Sequence, residues 1–486
     1  MKIFGVLLVF ALVLGLAMPA VGAEFAFHGD LNNRFTAYTN QSGFFRGAGE
    51  TSNPDFDATN NRLKDDGQDS MWAGAKYRLW TTAATNDGAV KGTYAIEFGN
   101  RRYGQAGGGG YSGDGNMTVE TRWAYTDLQL PFIESKSRVT LGLAPVKVNY
   151  YLWNETAMGV QWYGAMDEMF DYRVAWIRGF ERFRDSDSGG NSADSFFARG
   201  DFKPLEGMTL GAFAMYTNSR GDSPSGTITD VQYEKKFIAS QDVDLEVYEL
   251  GVDGSFKTDA GPGNLFVNWD LIYQGGEIND AEFTVTNATD AVLGGPIPAN
   301  DYDVSAYFLH ADVGFAWDDF KFTYTFWYAS GDDDPTDDDF EGFFSTDVDI
   351  FTGSTVLMES YDDDNYFTER PYLLDKGMIM NRLGLDYQAT DKLKVGAAVM
   401  YMMTAEDIEY FDGAGTTADS EQKEDEIGYE VMGYVSYKLY QNVEFAINAG
   451  YLFAGDAMDA FEEDDIRDGS SDEDIFRTMA RVRYGF

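Results

Sequence analysis

Basic side chains recur on alternate positions at the end of the chain, where Arg477, Arg481 and Arg483 share one phase. Near the start, Arg34, Lys76, Arg78, Lys91 and Arg122 hold the matching phase of four further alternating segments. Side chains two apart along a strand share a face, so each set projects to one side. Cations confined in a narrow wet space keep their charge, and scarce screening water lets their field reach across it. Such a set can orient and sort charged solutes. Bond-making chemistry has less to work with. The 486 residues include no Cys and only two His, His28 and His310, neither beside a nucleophile motif. Thiolate metal clusters and disulfides are therefore excluded, and a Ser–His hydrolase has little to build on.

Acidic residues outnumber basic ones 81 to 36, for a net charge of −45, which excludes nucleic acid as a partner. The surplus gathers in runs at Asp332–Asp334, Asp337–Asp339, Asp362–Asp364, Glu424–Glu426 and Glu462–Asp465. These read as solvated loops. A sharper reading is calcium held by hard oxygen ligands, bridging to lipopolysaccharide phosphates, although no run has the spacing or the Gly of an EF-hand. No other cofactor is implied.

The elements that must carry these residues are strands. Residues 1–23 join Lys2, an apolar run from Ile3 to Ala17, and the small-residue site Val21-Gly22-Ala23, the pattern of a cleaved secretory signal peptide. Residues 24–486 then form one domain. After the signal no stretch approaches eighteen apolar residues, and mean hydropathy is −0.34, so helical spans are not expected. Period-two alternation takes their place. Val443, Phe445, Ile447, Ala449, Tyr451 and Phe453 fall on one face of a segment, with Glu444, Ala446, Asn448 and Gly450 on the other. Segments of this kind begin near residues 25, 70, 89, 117, 138, 158, 169, 195, 208, 246, 264, 303, 319, 377, 393, 427, 443 and 474.

Their connections alternate between short turns, such as Trp317 to Phe320 and Tyr440 to Asn442, and long polar loops, such as 331–376. Short turns at one end and long loops at the other are the asymmetry of a membrane-spanning barrel, whose turns are periplasmic and whose loops are external. The expected fold is all-β: a transmembrane antiparallel up-and-down barrel of 18 strands if residues 158 to 165 form a strand, with sixteen as the alternative. Either count makes the interior too wide for side chains to fill, which leaves an aqueous channel.

These features, with a last strand ending Arg481-Val482-Arg483-Tyr484-Gly485-Phe486, resemble the Gram-negative outer-membrane porins. The resemblance covers the mature chain as an architecture. It implies an outer-membrane location, a passive channel for small hydrophilic solutes or ions, a homotrimer, and a loop folded inward to narrow the pore. Tyr484 and the terminal Phe486 match the family's signal to the barrel-assembly machinery. The candidate constriction loop lies within Val146 to Trp162 and contains Lys147, Asn149, Tyr150, Tyr151, Trp153, Asn154 and Glu155; an aromatic strand end at the membrane interface is the alternative. Barrel closure sets the last strand beside the first, so Arg34, Lys76, Arg78, Lys91, Arg122, Arg477, Arg481 and Arg483 are expected to form one basic wall, either selective or merely paired with Asp30, Glu97 and Glu120. A non-conducting adhesin or structural barrel, and less plainly a barrel hydrolase, are the rival functions.

Overall fold

The structure of the protein, a computed structural model, describes residues 23–41, 56–57, 62–63, 68–104, 119–131, 133, 136–181, 192–220, 237–238, 244–283, 300–334, 337–346, 348, 353–356, 372, 376–411, 421–461 and 474–486. Residues 1–22 of the expected signal peptide lie outside them, as do the acidic runs at 362–364 and 462–465.

Eighteen strands make the wall: β1 (Ala23–Gln41), β2 (Gln68–Thr85), β3 (Val90–Arg102), β4 (Glu120–Gln129), β5 (Arg138–Pro145), β6 (Thr156–Ala165), β7 (Phe170–Glu181), β8 (Ser192–Phe202), β9 (Met208–Arg220), β10 (Asp244–Ala260), β11 (Gly263–Phe283), β12 (Asn300–Trp317), β13 (Phe320–Ala329), β14 (Met378–Gln388), β15 (Leu393–Phe411), β16 (Glu421–Tyr440), β17 (Val443–Ala454) and β18 (Ile475–Gly485). Each pairs antiparallel with the next, and β18 returns to β1, with Asn32 opposite Arg483 and Arg34 opposite Arg481. The sheet is a closed barrel of eighteen strands. Strand β6, on which the count turned, is paired along both edges.

Eight connections, from 86–89 to 441–442, crowd one end and are short; the other end carries the longer ones. Turn chemistry explains the tightest. Asp318 adopts a φ of 49° at the two-residue corner between β12 and β13, a left-handed conformation that Asp tolerates better than most side chains. The turn at 166–169 falls between the expected segments at 158–165 and near 169, although Met166 and Met169 flank Asp167 and Glu168 without Gly or Pro. There the Asp167 carboxylate accepts the backbone N–H groups of Met169 and Phe170, at 2.8 and 2.9 Å, and makes the corner instead.

Burial alternates as the sequence does. Along β9, Phe213, Met215 and Thr217 are buried while Ala212, Ala214 and Tyr216 are exposed. Leu141, Trp162, Leu250, Val252, Leu271, Val313, Leu383, Val399, Val431 and Ile447 all stand on the outside with over a third of their surface free. Water would penalise that belt by about 25 cal/mol per Å2, whereas hydrocarbon does not. No helix of the described residues is long and apolar enough to cross a membrane; the strands supply the lipid-compatible surface.

The terminal residue seals the seam. Phe486 exchanges two backbone hydrogen bonds of 3.0 Å with Gly29, and its ring lies against Phe27 and Tyr484. A Cβ at position 29 would stand 2.4 Å from that ring, so any other residue there would have to displace it.

Candidate pore constriction

The barrel interior is not uniformly wet. A cluster of buried apolar side chains fills part of it, and two loops supply its centre.

The first is the β5–β6 connection, residues 146–155, which extends the two strands as an inward hairpin. Val146 N–H donates to Glu155 O at 2.7 Å and Val148 N–H to Trp153 O at 3.0 Å, so strand pairing continues toward the tip. Asn149 turns it: its side-chain oxygen accepts Tyr151 N–H at 2.9 Å. The Asn149 amide then donates to two carboxylates of the far wall, Asp253 on β10 at 3.0 Å and Asp270 on β11 at 2.7 Å. Arg199 on β8 locks the same corner, bridging Asp253 and Asp201 and donating to Val148 O at 3.0 Å. His310 on β12 stands between Asp270 and Asp312, 2.8 and 3.4 Å away, under the Tyr151 ring. Tyr151 also packs on Phe308 and Trp327. Burial, with Asp270 and Asp312 nearby, pushes its phenol well above the usual range, so Tyr151 is a neutral anchor.

Of the residues expected to constrict the pore, the structure thus gathers Asn149, Tyr151 and Trp153 at the buried tip, with Tyr150 half-buried edge-on to Tyr151. Asn154 and Glu155 line the stem, where Glu155 pairs with Arg122; Lys147 is exposed.

The second loop, 330–377 between β13 and β14, was expected to lie outside as a solvated connection. Its acidic residues Asp333, Asp334 and Asp337 to Asp339 are exposed, but its apolar ones turn inward: Phe340, Phe343, Phe344, Val348, Val356 and Tyr372 are all buried. Gln274 on β11 holds Phe344 through both backbone groups, at 3.1 and 3.3 Å. Thr346 N–H donates to Leu152 O at 2.8 Å and the Tyr372 hydroxyl to Tyr151 O at 2.5 Å, which clasps this loop to the hairpin. An overall acidic composition hid the signal. Six large apolar side chains have no reason to sit in a solvated loop, and they were the available clue.

Most of the expected basic wall lies together on the inner faces of β18 and β1 to β4. Arg34 and Arg481 are direct cross-strand partners, Arg483 faces Asp30 with contacts from 2.7 to 3.2 Å, and Arg481 reaches Glu444 at 2.6 Å. Lys76, Arg78 and Arg122 converge on the buried Glu97. Arg477 is fully buried higher on β18, over the Tyr38 ring at 4.9 Å. Lys91 is separated from this group: it shares the inward phase but sits exposed at the turn end of β3, opposite Asp127. Glu120 is exposed beside Glu97. Like charges set directly opposite destabilise a sheet, so this crowding is retained against a cost. Below the wall a cavity of about 550 Å3 opens toward the short-turn end, lined by Asp30, Trp80, Lys438, Glu444 and Arg483. Among the described residues no cluster of acidic or His side chains has an ion-holding arrangement, and the runs at 332–334, 337–339 and 424–426 are among them.

No protein-family model and no curated protein matches the sequence. Solved structures do. OccK8 (OprE) of Pseudomonas aeruginosa superposes with a TM-score of 0.52 at 10% identity, covering 95% of this chain and 98% of that one. The fold is that of the outer-membrane porins. OpdQ from the same organism gives 0.51 at 10% identity, and OccK2 (OpdF) in complex with glucuronate 0.50 at 10%, each over 95% of this chain and 98% of the other. At such identity the likeness is to the porin fold and carries no residue across. The basic wall and the loop partition are properties of this sequence.

Proposed function

We propose that the chain is a passive diffusion channel of a Gram-negative outer membrane, narrowed between its basic wall and the hairpin–loop partition. The observation that carries this is the uneven lining: among the described residues, loops cover the inner faces of β8 to β13, while β18 and β1 to β4 carry a ladder of cations. On that side Arg34, Lys76, Arg78, Arg122, Arg481 and Arg483 line up across neighbouring strands, interleaved with Asp30, Glu97, Glu155 and Glu444. Fixed positive charge beside a narrow path favours small hydrophilic solutes carrying negative charge. That OccK2 was solved with glucuronate, an anionic sugar, agrees with this choice.

The same reading makes lipid and lipopolysaccharide the surroundings of the apolar belt. It makes Tyr484 and Phe486 the recognition end for the barrel-assembly machinery, a homotrimer the assembled form, and transport rather than catalysis the role.

The test is electrical. Purified protein in planar bilayers should give discrete conductance steps, and a salt gradient should yield a reversal potential on the anion side. A preparation of intact barrels that stays silent would sink the channel reading and favour a non-conducting adhesin.

A further inference from the structure

Residues 353–356 of the β13–β14 loop sit on the opposite side of the barrel from Phe343 and Phe344. Ser354, Thr355 and Val356 are buried against β16, β17 and β18, so the loop has a second landing site across the lumen from Gln274. That site is built for it. Glu430 on β16 is fully buried and accepts three donors from this one turn: Thr355 N–H at 2.8 Å, Val356 N–H at 3.1 Å and the Ser354 hydroxyl. Successive backbone N–H groups converging on a carboxylate make an anion nest, here filled by the wall's own side chain. Arg477 on β18 closes the other side, donating to Thr355 O at 2.5 Å.

Between Glu430 and Arg477 lies Gly450 of β17, the cross-strand partner of Arg477. A Cβ there would stand 2.5 Å from the Glu430 carboxylate, 2.8 Å from Thr355 Cβ and 3.2 Å from Val356 Cγ2. A larger residue would have to displace the Glu430 carboxylate or the segment itself. Three neighbouring strands thus contribute an acceptor, a gap and a donor to a single four-residue segment.

We propose that Glu430, with Gly450 and Arg477, is the positioning socket that seats residues 353–356 across the channel and thereby sets the charge a solute meets there. The seated segment engages Arg477 and covers it, which removes the uppermost cation of the wall from the solute path. Releasing the segment widens the path and uncovers that cation, so conductance and anion preference rise together. This rests on the channel reading above, and it assigns selectivity to a carboxylate that never touches the solute.

The chain has no Cys, so Val356→Cys places one thiol in the socket while keeping the backbone donor. Maleimide labelling of that thiol is expected to be slow in the parent and at least tenfold faster once Glu430→Ala or Gly450→Val is added. Gly450→Val leaves Glu430 in place and covers the case in which the charge deletion fails to fold. In planar bilayers both variants are expected to raise conductance and shift the reversal potential toward anions. Equal labelling rates in all three proteins overturn the socket. Fast labelling with an unmoved reversal potential overturns its role in selectivity. A parent that does not conduct defeats the channel reading alone, since the labelling rates still decide whether the socket holds the segment.

Discussion

One face of a single closed sheet meets two fates in this barrel. The inner wall of β8 to β13 is covered by the hairpin and the long loop through Asn149, Tyr151, Phe343 and Phe344. The inner wall of β18 and β1 to β4 is left with Arg34, Arg78, Arg481 and Arg483 beside a cavity. Both walls carry charge. On the covered wall Asp253 and Asp270 meet donors from the hairpin and from neighbouring strands. On the other wall the cations stand in a ladder among Asp30, Glu97 and Glu444, and on the proposed reading their field is what a passing anion meets. Coverage, more than composition, separates scaffold from pore.

The sharpest way to break the contrast is to uncover the covered wall. Asn149→Leu removes two hydrogen bonds to carboxylates, each worth about 1.5–3 kcal/mol, and leaves Asp253 and Asp270 short of a donor. A net loss of ~3 kcal/mol should speed hydrogen exchange across residues 146–155 by roughly two orders of magnitude. Exchange unchanged from the parent would mean that aromatic packing alone docks the hairpin. A smaller effect is expected from neutralising the open wall. Changing Arg477, Arg481 and Arg483 together to Gln should lower the anion-to-cation permeability ratio by about tenfold, or about 1.4 kcal/mol at the constriction. A ratio that stays put removes these cations from selectivity.

The smallest effect concerns the rim of the long loop. Glu341 is held above the ordinary carboxylate range by burial and by Asp333, Asp339 and Asp337, and Asp339 is raised likewise by desolvation and by Asp337, Asp338 and Asp303. A raised carboxyl binds its proton more tightly in the folded loop than in the free chain. The stability gained is therefore present at low pH and lost as pH rises through the folded value. Exchange protection of residues 337–346 should increase modestly in mild acid, and a decrease there would reverse the sign.

Strand number, strand phase and most turn positions were legible in the sequence, because a face that meets lipid and a face that meets water impose their difference on every second residue. Segment starts read near 138, 208, 393 and 443 coincide with observed strand starts at Arg138, Met208, Leu393 and Val443. The inward hairpin was legible as a cluster of Asn, Tyr and Trp, although its partners were not: Asp253, Asp270 and His310 come from three different strands. Loops have no period to read, so the inward placement of Phe340, Phe343, Phe344 and Val356 stayed hidden behind their acidic neighbours.

By itself, then, the sequence determined a closed barrel of sixteen or eighteen strands and the side of each strand that faces inward, since alternation is a local property of the extended chain. Only the tertiary structure decided which inward residues are covered. Coverage depends on where two loops land on distant strands, and contacts between residues such as Asn149 and Asp270, or Thr355 and Glu430, leave no trace in any window of neighbouring positions.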